Sequence, residues 1–309
     1  MDSRISIDQK RSGKIILTGE HTILYGGEAL VSPISKYVDV KVRQGNGEIS
    51  TIINGVKDNI NYFNDPLVNA ALLHLEEFYD IDLVNLNIEI RSEIPIGGFG
   101  SSSAIVASII ESVLAFKGVE IGDSNLIEDV IAIESSLGTK VSGIDQITIV
   151  KEKPLVFQRI DGDLKYREAD LLYLSDHKVL VINTGRPNST TNQVVKVVRQ
   201  RFESSNPYKS LIANTIELNR NLICSIESNS NEQTILRLVD DISENLIKMG
   251  IVSGQSQAVI KTLNSMGLHV KLSGAGTISE GPSGALIAFC AIDFDSNQIR
   301  DLGFNCFEM

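Results

Sequence analysis

The chain has 309 residues, 42% hydrophobic and 22% charged, ample for real cores and long for a single one, so two domains are expected. Its formal net charge of −11 excludes non-specific nucleic-acid binding, which depends on Lys and Arg neutralising phosphates, so any anionic ligand must be held locally. Cys224, Cys290 and Cys306 have neither paired nor zinc-type spacing, and no leader-like or membrane-length apolar run is read, so a cytoplasmic protein without membrane or nucleic-acid partners is expected.

In chain order, KIILTG (14–19) and LVSPISKYVDVKV (30–42) have strand character, and EISTIING (48–55) follows as the next strand of a meander. PLVNAALLHLEEFY (66–79) reads as a helix and LNIEIRS (86–92) as a strand with period-two alternation. AIVASIIESVLAF (104–116) is too long for a strand and apolar nearly all round, with Glu111 its only charge, so it is predicted to be a buried central helix. After residue 150 come strands such as KVLVINT (178–184), then helices around 190–203, 208–227, 232–249 and 255–266. VKLSG (270–274) and ALIAFCA (285–291) return as strands. The change of pattern puts a domain boundary near residue 170.

EIPIGGFGSSSA (93–104) joins a strand to the apolar helix. Such a turn leaves backbone N–H groups pointing outward, where the first helical turn adds its own unsatisfied donors and partial positive charge. That makes an anion site, with phosphate its usual occupant. Gly97, Gly98 and Gly100 carry no Cβ to hold the anion away, and Ser101, Ser102 and Ser103 offer hydroxyls to a magnesium ion travelling with nucleotide phosphates. The plainer alternative is a tight turn with a serine N-cap. Neither familiar phosphate pattern fits, because Asp8 stands where a Walker motif ending at Gly13-Lys14 needs glycine, and Ser103 stands where the dinucleotide fingerprint needs its third.

If LIEDVIAIESSL (126–137) is helical, Leu126, Ile127, Val130, Ile131 and Leu137 share a face with Glu134, while Glu128, Asp129, Ser135 and Ser136 turn to solvent. A carboxylate aimed at a core needs a partner, either a metal or an unseen Lys or Arg. Eleven residues on, the turn SGID (142–145) presents Asp145 towards the same cavity.

GKIILTGEHTILYGGEAL (13–30) resembles the first motif of the small-molecule kinase family that groups galactokinase, homoserine kinase, mevalonate kinase and phosphomevalonate kinase. PIGGFGSSSA (95–104) resembles its second motif and KLSGAG (271–276) its third, and the likeness takes in ESSLGTKVSGID (134–145) and NTGRPNST (183–190). Within the family, GEH (19–21) is similar to mevalonate kinase and galactokinase, and ILYGG (23–27) to the mevalonate branch, of archaeal type.

The resemblance implies an α+β, two-domain small-molecule kinase fold. Its N-terminal ATP-binding β-α domain would be residues 1–170 and its C-terminal ferredoxin-like domain 171–309, with ATP and substrate in the cleft between. It implies Asp145 as the catalytic aspartate near the acceptor hydroxyl, Lys14 as its partner, and Ser103 and Glu134 as magnesium ligands. Glu20, His21 and Thr190 fall in the acceptor pocket, and Gly97, Gly98, Gly100, Ser101, Ser102, Ser103, Gly274 and Gly276 around the ATP phosphates. By itself His21 reads as a hydrogen-bonded structural histidine; the GEH context reverses that.

The chain departs from the family at Ser12, usually proline, at Phe99-Gly100-Ser101, usually glycine-leucine-glycine, and at TISEGPS (277–283), where further glycines would follow. The implied reaction is ATP- and magnesium-dependent phosphorylation of the 5-hydroxyl of mevalonate in isoprenoid biosynthesis. Two alternatives stay open: a 5-kinase for mevalonate 3-phosphate, with Lys10, Arg11 and Arg186 as candidate extra cations, and a catalytically silent nucleotide- or partner-binding member. A homodimer is also left open.

Overall fold

A computed structural model describes residues 6–53, 56–58, 65–95, 97–138 and 141–309. The opening MDSRI, the last two residues of EISTIING, residue 96 of the glycine-serine stretch and residues 139–140 before SGID lie outside the described residues. The chain forms two compact units, one of Met1–Lys14, Pro33–Pro95 and Phe99–Glu152, the other of Ile15–Ser32, Ile96–Gly98 and Lys153–Met309. The long strands β1 (Ser6–Thr18) and β2 (Glu28–Gln44) give residues to both.

In the first unit, β2 is followed by β3 (Ile49–Ile53), β4 (Val56–Asp58), α1 (Pro66–Tyr79) and β5 (Leu86–Ser92). The meander expected at EISTIING does not form: β5 lies between β2 and β3, antiparallel to β2 and parallel to β3. The intervening α1 supplies the crossover that a parallel pair requires, and β5 buries Leu86, Ile88 and Ile90 on one face of the sheet. Helix α1 starts where Asp65 accepts hydrogen bonds from the N–H groups of Leu67 and Val68, with Pro66 at the first position.

Helices α2 (Ser101–Phe116), α3 (Asp123–Ser136) and α4 (Ile144–Lys151) complete this unit. Apolar nearly all round, α2 packs against α1, α3 and α4. Its single charge, Glu111, is met by Arg11, whose Nε and Nη2 donate to the carboxylate at 2.9 and 2.6 Å. On α3, Leu126, Val130 and Glu134 face inward, joined by Ile133, whereas Leu137 lies past the helix end and is 41% exposed. Asp129 is not a solvated acid, since it accepts hydrogen bonds from His74 Nε2–H at 2.9 Å and Tyr79 Oη at 2.5 Å. Both donors come from α1, which the periodicity of α3 alone cannot reveal.

The longest segment of the second unit, Lys153–Met309, opens with the hairpin β6 (Leu155–Ile160) and β7 (Asp163–Glu168), absent from the sequence reading; β6 pairs with Glu28–Val31 of β2. Then come β8 (His177–Asn183), α5 (Thr191–Ser204), α6 (Asn206–Glu227), α7 (Glu232–Lys248), α8 (Gly254–Asn264), β9 (His269–Ser273), β10 (Ala285–Ala291), α9 (Asn297–Asp301) and β11 (Asn305–Glu308). The sheet order β11-β8-β10-β9 is antiparallel throughout, the ferredoxin-like arrangement, with α7 and α8 packed on β9. All three cysteines are free thiols. Among the described residues no helix is long and apolar enough to cross a membrane.

Candidate active site

In the first unit, Lys14 is fixed by its backbone. Its N–H donates to Phe99 O at 2.9 Å, and a Cβ on the preceding Gly13 would stand 2.9 Å from the same oxygen, so glycine is what lets β1 approach the loop so closely. Its side chain is 4% exposed and runs past Gly100, where an added Cβ would meet Lys14 Cγ at 3.1 Å and Ile149 Cδ1 at 2.8 Å. Thus guided, Lys14 Nζ lies 3.0 Å from Asp145 Oδ1. SGID is more than a turn: Gly143, in the left-handed region, starts α4, and Asp145 sits in its first turn.

Gly100 starts α2 in the same way at φ 72°, with no side-chain cap on the helix N–H groups. The serine N-cap alternative therefore fails, and Ser101, Ser102 and Ser103 instead form the first turn. Ser103 Oγ lies 3.0 and 3.1 Å from the Glu134 carboxylate oxygens. Gln146, which sequence reasoning missed, donates its amide to Glu134 Oε2 and, at 3.0 Å, to Ser103 Oγ. Its signal was adjacency to Asp145 on one short helix.

Burial pushes the Glu134 carboxyl above its ordinary 4.5; the hydrogen bonds from Gln146 and Ser103 ease it, and the nearby charge of Asp145 adds to it. Among the described residues no Lys or Arg pairs with Glu134, and no cluster of three or more His, Cys, Asp or Glu forms a metal cage. A buried carboxylate beside a hydroxyl is an oxygen donor set of the kind that suits magnesium shared with substrate phosphates.

A pH signature follows from Glu134 in metal-free buffer. Its folded-state pKa is raised, so the folded protein holds the proton that the unfolded chain releases, and stability falls as pH climbs from about 4.5 through the raised value. Glu134→Gln removes that loss. In thermal melts from about pH 4 to about pH 7 its Tm is expected to gain on the parent's as pH rises. A constant difference would discard this account.

The second unit holds the other candidates. His21 adopts φ 58°, is buried, and donates from Nε2 to Ala275 O at 2.9 Å; burial lowers its pKa, with the Ala275 bond opposing. Glu20 Oε1 meets Lys271 Nζ at 2.5 Å. Thr18 Oγ1 donates to Asn219 Oδ1 at 2.6 Å, and Asn219 Nδ2 to Thr22 Oγ1 at 2.8 Å, clamping the flanks of the 19–21 turn. Gly97, Gly98, Gly274 and Gly276 all have positive φ, with open space beside Gly98 and Gly274. Thr190 is the N-cap of α5 in a capping box with Gln193. The 277–283 loop is a braced arc: Thr277 and Ser279 meet Ser189 Oγ at 2.9 and 3.0 Å, Asn188 donates to Glu280 O at 2.8 Å, and Ser253 Oγ to Gly281 O at 2.5 Å.

So the first unit brings together Lys14, Asp145, Gly100, Ser103 and Glu134, and the second carries Glu20, His21, Thr190, Gly97, Gly98, Gly274 and Gly276. Residues 66–153 match the family model for the GHMP kinases N terminal domain. The chain is an ATP-dependent small-molecule kinase. It carries the GHMP kinase N-terminal domain and is similar to archaeal mevalonate kinases. That of Archaeoglobus fulgidus is 28% identical, covering 85% of this chain and 87% of that protein. Its fold is shared by L. major mevalonate kinase, crystallised with R-mevalonate, at TM-score 0.81 and 21% identity over 97% of this chain and 91% of that one. Streptococcus pneumoniae phosphomevalonate kinase, in complex with phosphomevalonate and AMPPNP, shares it at TM-score 0.74 and 16% identity over 98% and 100%.

Proposed function

We propose that the protein transfers the γ-phosphoryl group of ATP to the 5-hydroxyl of mevalonate. The observation that carries this reading is the 3.0 Å pairing of Lys14, on β1, with Asp145, which stands on the same short helix as the Gln146 amide that binds Glu134 and Ser103. Asp145 takes the hydroxyl proton as the acceptor oxygen bonds to the γ-phosphorus, the bond from that phosphorus to the β,γ-bridging oxygen breaks, and ADP departs. Lys14 holds the Asp145 carboxylate in place. The uncapped N–H groups at the start of α2, with Gly97, Gly98, Gly274 and Gly276, bind the phosphates, and Glu20, His21 and Thr190 bind the acceptor. Ser103 and Glu134 would hold magnesium, which when bound supplies positive charge against the phosphate oxygens. Residues 1–170 and 171–309 are the two kinase domains of this reading.

The name shared by the archaeal relatives supports mevalonate as the acceptor, whereas the phosphomevalonate kinase fold keeps a phosphorylated acceptor in view. Charge favours the former. A phosphorylated acceptor needs spare cations, and of the three candidates Arg11 is spent on Glu111 and on Glu152 at 3.5 Å and Lys10 stands 3.8 Å from Asp39, which leaves only Arg186 without an acidic partner among the described residues. The test is phosphorus NMR of magnesium-ATP incubated with mevalonate, mevalonate 3-phosphate or mevalonate 5-phosphate. Mevalonate is expected to yield a phosphate monoester. If it is inert while mevalonate 3-phosphate is consumed, the phosphorylated-acceptor reading takes over.

A further inference from the structure

Lys271 is the most deeply buried cation of the second unit, its side chain 0% exposed against a Glu20 side chain at 1%. A lysine has three donors, and all three are used here: Leu17 O at 3.1 Å, Leu272 O at 2.8 Å and Glu20 Oε1 at 2.5 Å. One ammonium therefore ties the end of β1, the start of the Gly19–Glu20–His21 turn and β9. Next to it, Ser273 Oγ donates to Ile16 O at 2.8 Å and accepts from Ile16 N at 3.1 Å, so the two strands are pinned at consecutive residues.

Net stability is a weak reason for such a pair. Two charges withdrawn from water recover little more than their desolvation cost, and well-packed apolar residues of similar volume generally serve a core as well or better. What the pair does hold is a backbone that would otherwise relax. Gly19 has φ 103° with Ala29 and Glu28 packed where a side chain would be, and His21 has φ 58°, a region a bulky side chain seldom enters. The turn is restrained from one side by Lys271 through Glu20 and from the other by the His21 bond to Ala275 O, on the loop that follows β9.

We propose that Lys271 is a positioning residue for the acceptor: without touching it, the ammonium fixes Glu20 and, through the strained turn, the ring of His21. This rests on Glu20 and His21 binding the acceptor.

Lys271→Met alone strands a buried carboxylate without its cation, so the informative comparison is Glu20→Gln against Glu20→Gln/Lys271→Met. In the Glu20→Gln background, Lys271→Met is expected to raise KM for the acceptor about tenfold further while KM for ATP stays within about twofold. An acceptor KM unchanged by Lys271→Met, or a rise shared equally by ATP, overturns the proposal in favour of a structural pair or general damage. The acceptor is whichever of the three mevalonates the parent enzyme uses, so a failure of the mevalonate reading shows in the parent and not in this comparison. Should the parent use none, the His21 ring nitrogens decide by NMR: their shifts are expected to move when Lys271→Met is added, and unmoved shifts overturn the proposal.

Discussion

Asp145→Asn is expected to lower kcat by about a hundredfold or more, the scale of a lost acid-base group, while the protein folds and binds ATP as before. The amide has the size and shape of the carboxylate and can still accept a hydrogen bond from Lys14 Nζ, now 3.0 Å from Asp145 Oδ1, but it cannot take the acceptor's proton. Asp145 lies in the first turn of α4, whose inward face is held by Ile144, Ile147, Ile149 and Val150, so the substitution leaves packing alone. A coupled assay of ADP release gives the rate and calorimetry the ATP affinity. Near-normal turnover would remove Asp145 from the mechanism.

The largest stability effect is expected inside the third motif, where two glycines two residues apart answer differently. At Gly276, φ is 71° and a Cβ would stand 2.1 Å from Ile251 O, a backbone oxygen that also accepts from Thr277 N at 2.9 Å and so cannot yield cheaply. Gly276→Ala is expected to cost about 3 kcal/mol or more, from a steric clash added to left-handed backbone strain. At Gly274, φ is 90° but nothing lies within 4 Å, so Gly274→Ala keeps only the strain, about 1 to 2 kcal/mol. Urea unfolding of both variants separates them. Equal losses would mean that the close approach to Ile251 does not constrain position 276.

These two residues also divide what each glycine is for. Motif resemblance puts both beside the ATP phosphates, yet the packing gives Gly276 a structural reason of its own, whereas Gly274 and Gly98 border open space.

The sequence by itself determined the element types that rest on local periodicity. The nearly all-apolar run 104–116 had to be a buried helix, LNIEIRS a half-buried strand, and the stripe on α3 turned Glu134 inward, because burial of an amphipathic or apolar face depends on spacing along one element. Resemblance of three ordered motifs carried the fold class, now seen in two sheets and a ferredoxin-like second unit. Tertiary structure alone decided the rest. It set β5 between β2 and β3, found donors for Asp129 on α1, engaged Arg11 with Glu111 across 100 residues, and matched Glu20 with Lys271 across 251. Strand order and partner choice depend on which surfaces meet after the chain has crossed over itself, and no local period encodes that. Gln146 shows the limit most simply: it stands beside Asp145 in the sequence, but only the packing of α4 against α2 and α3 turns its amide onto Ser103 and Glu134.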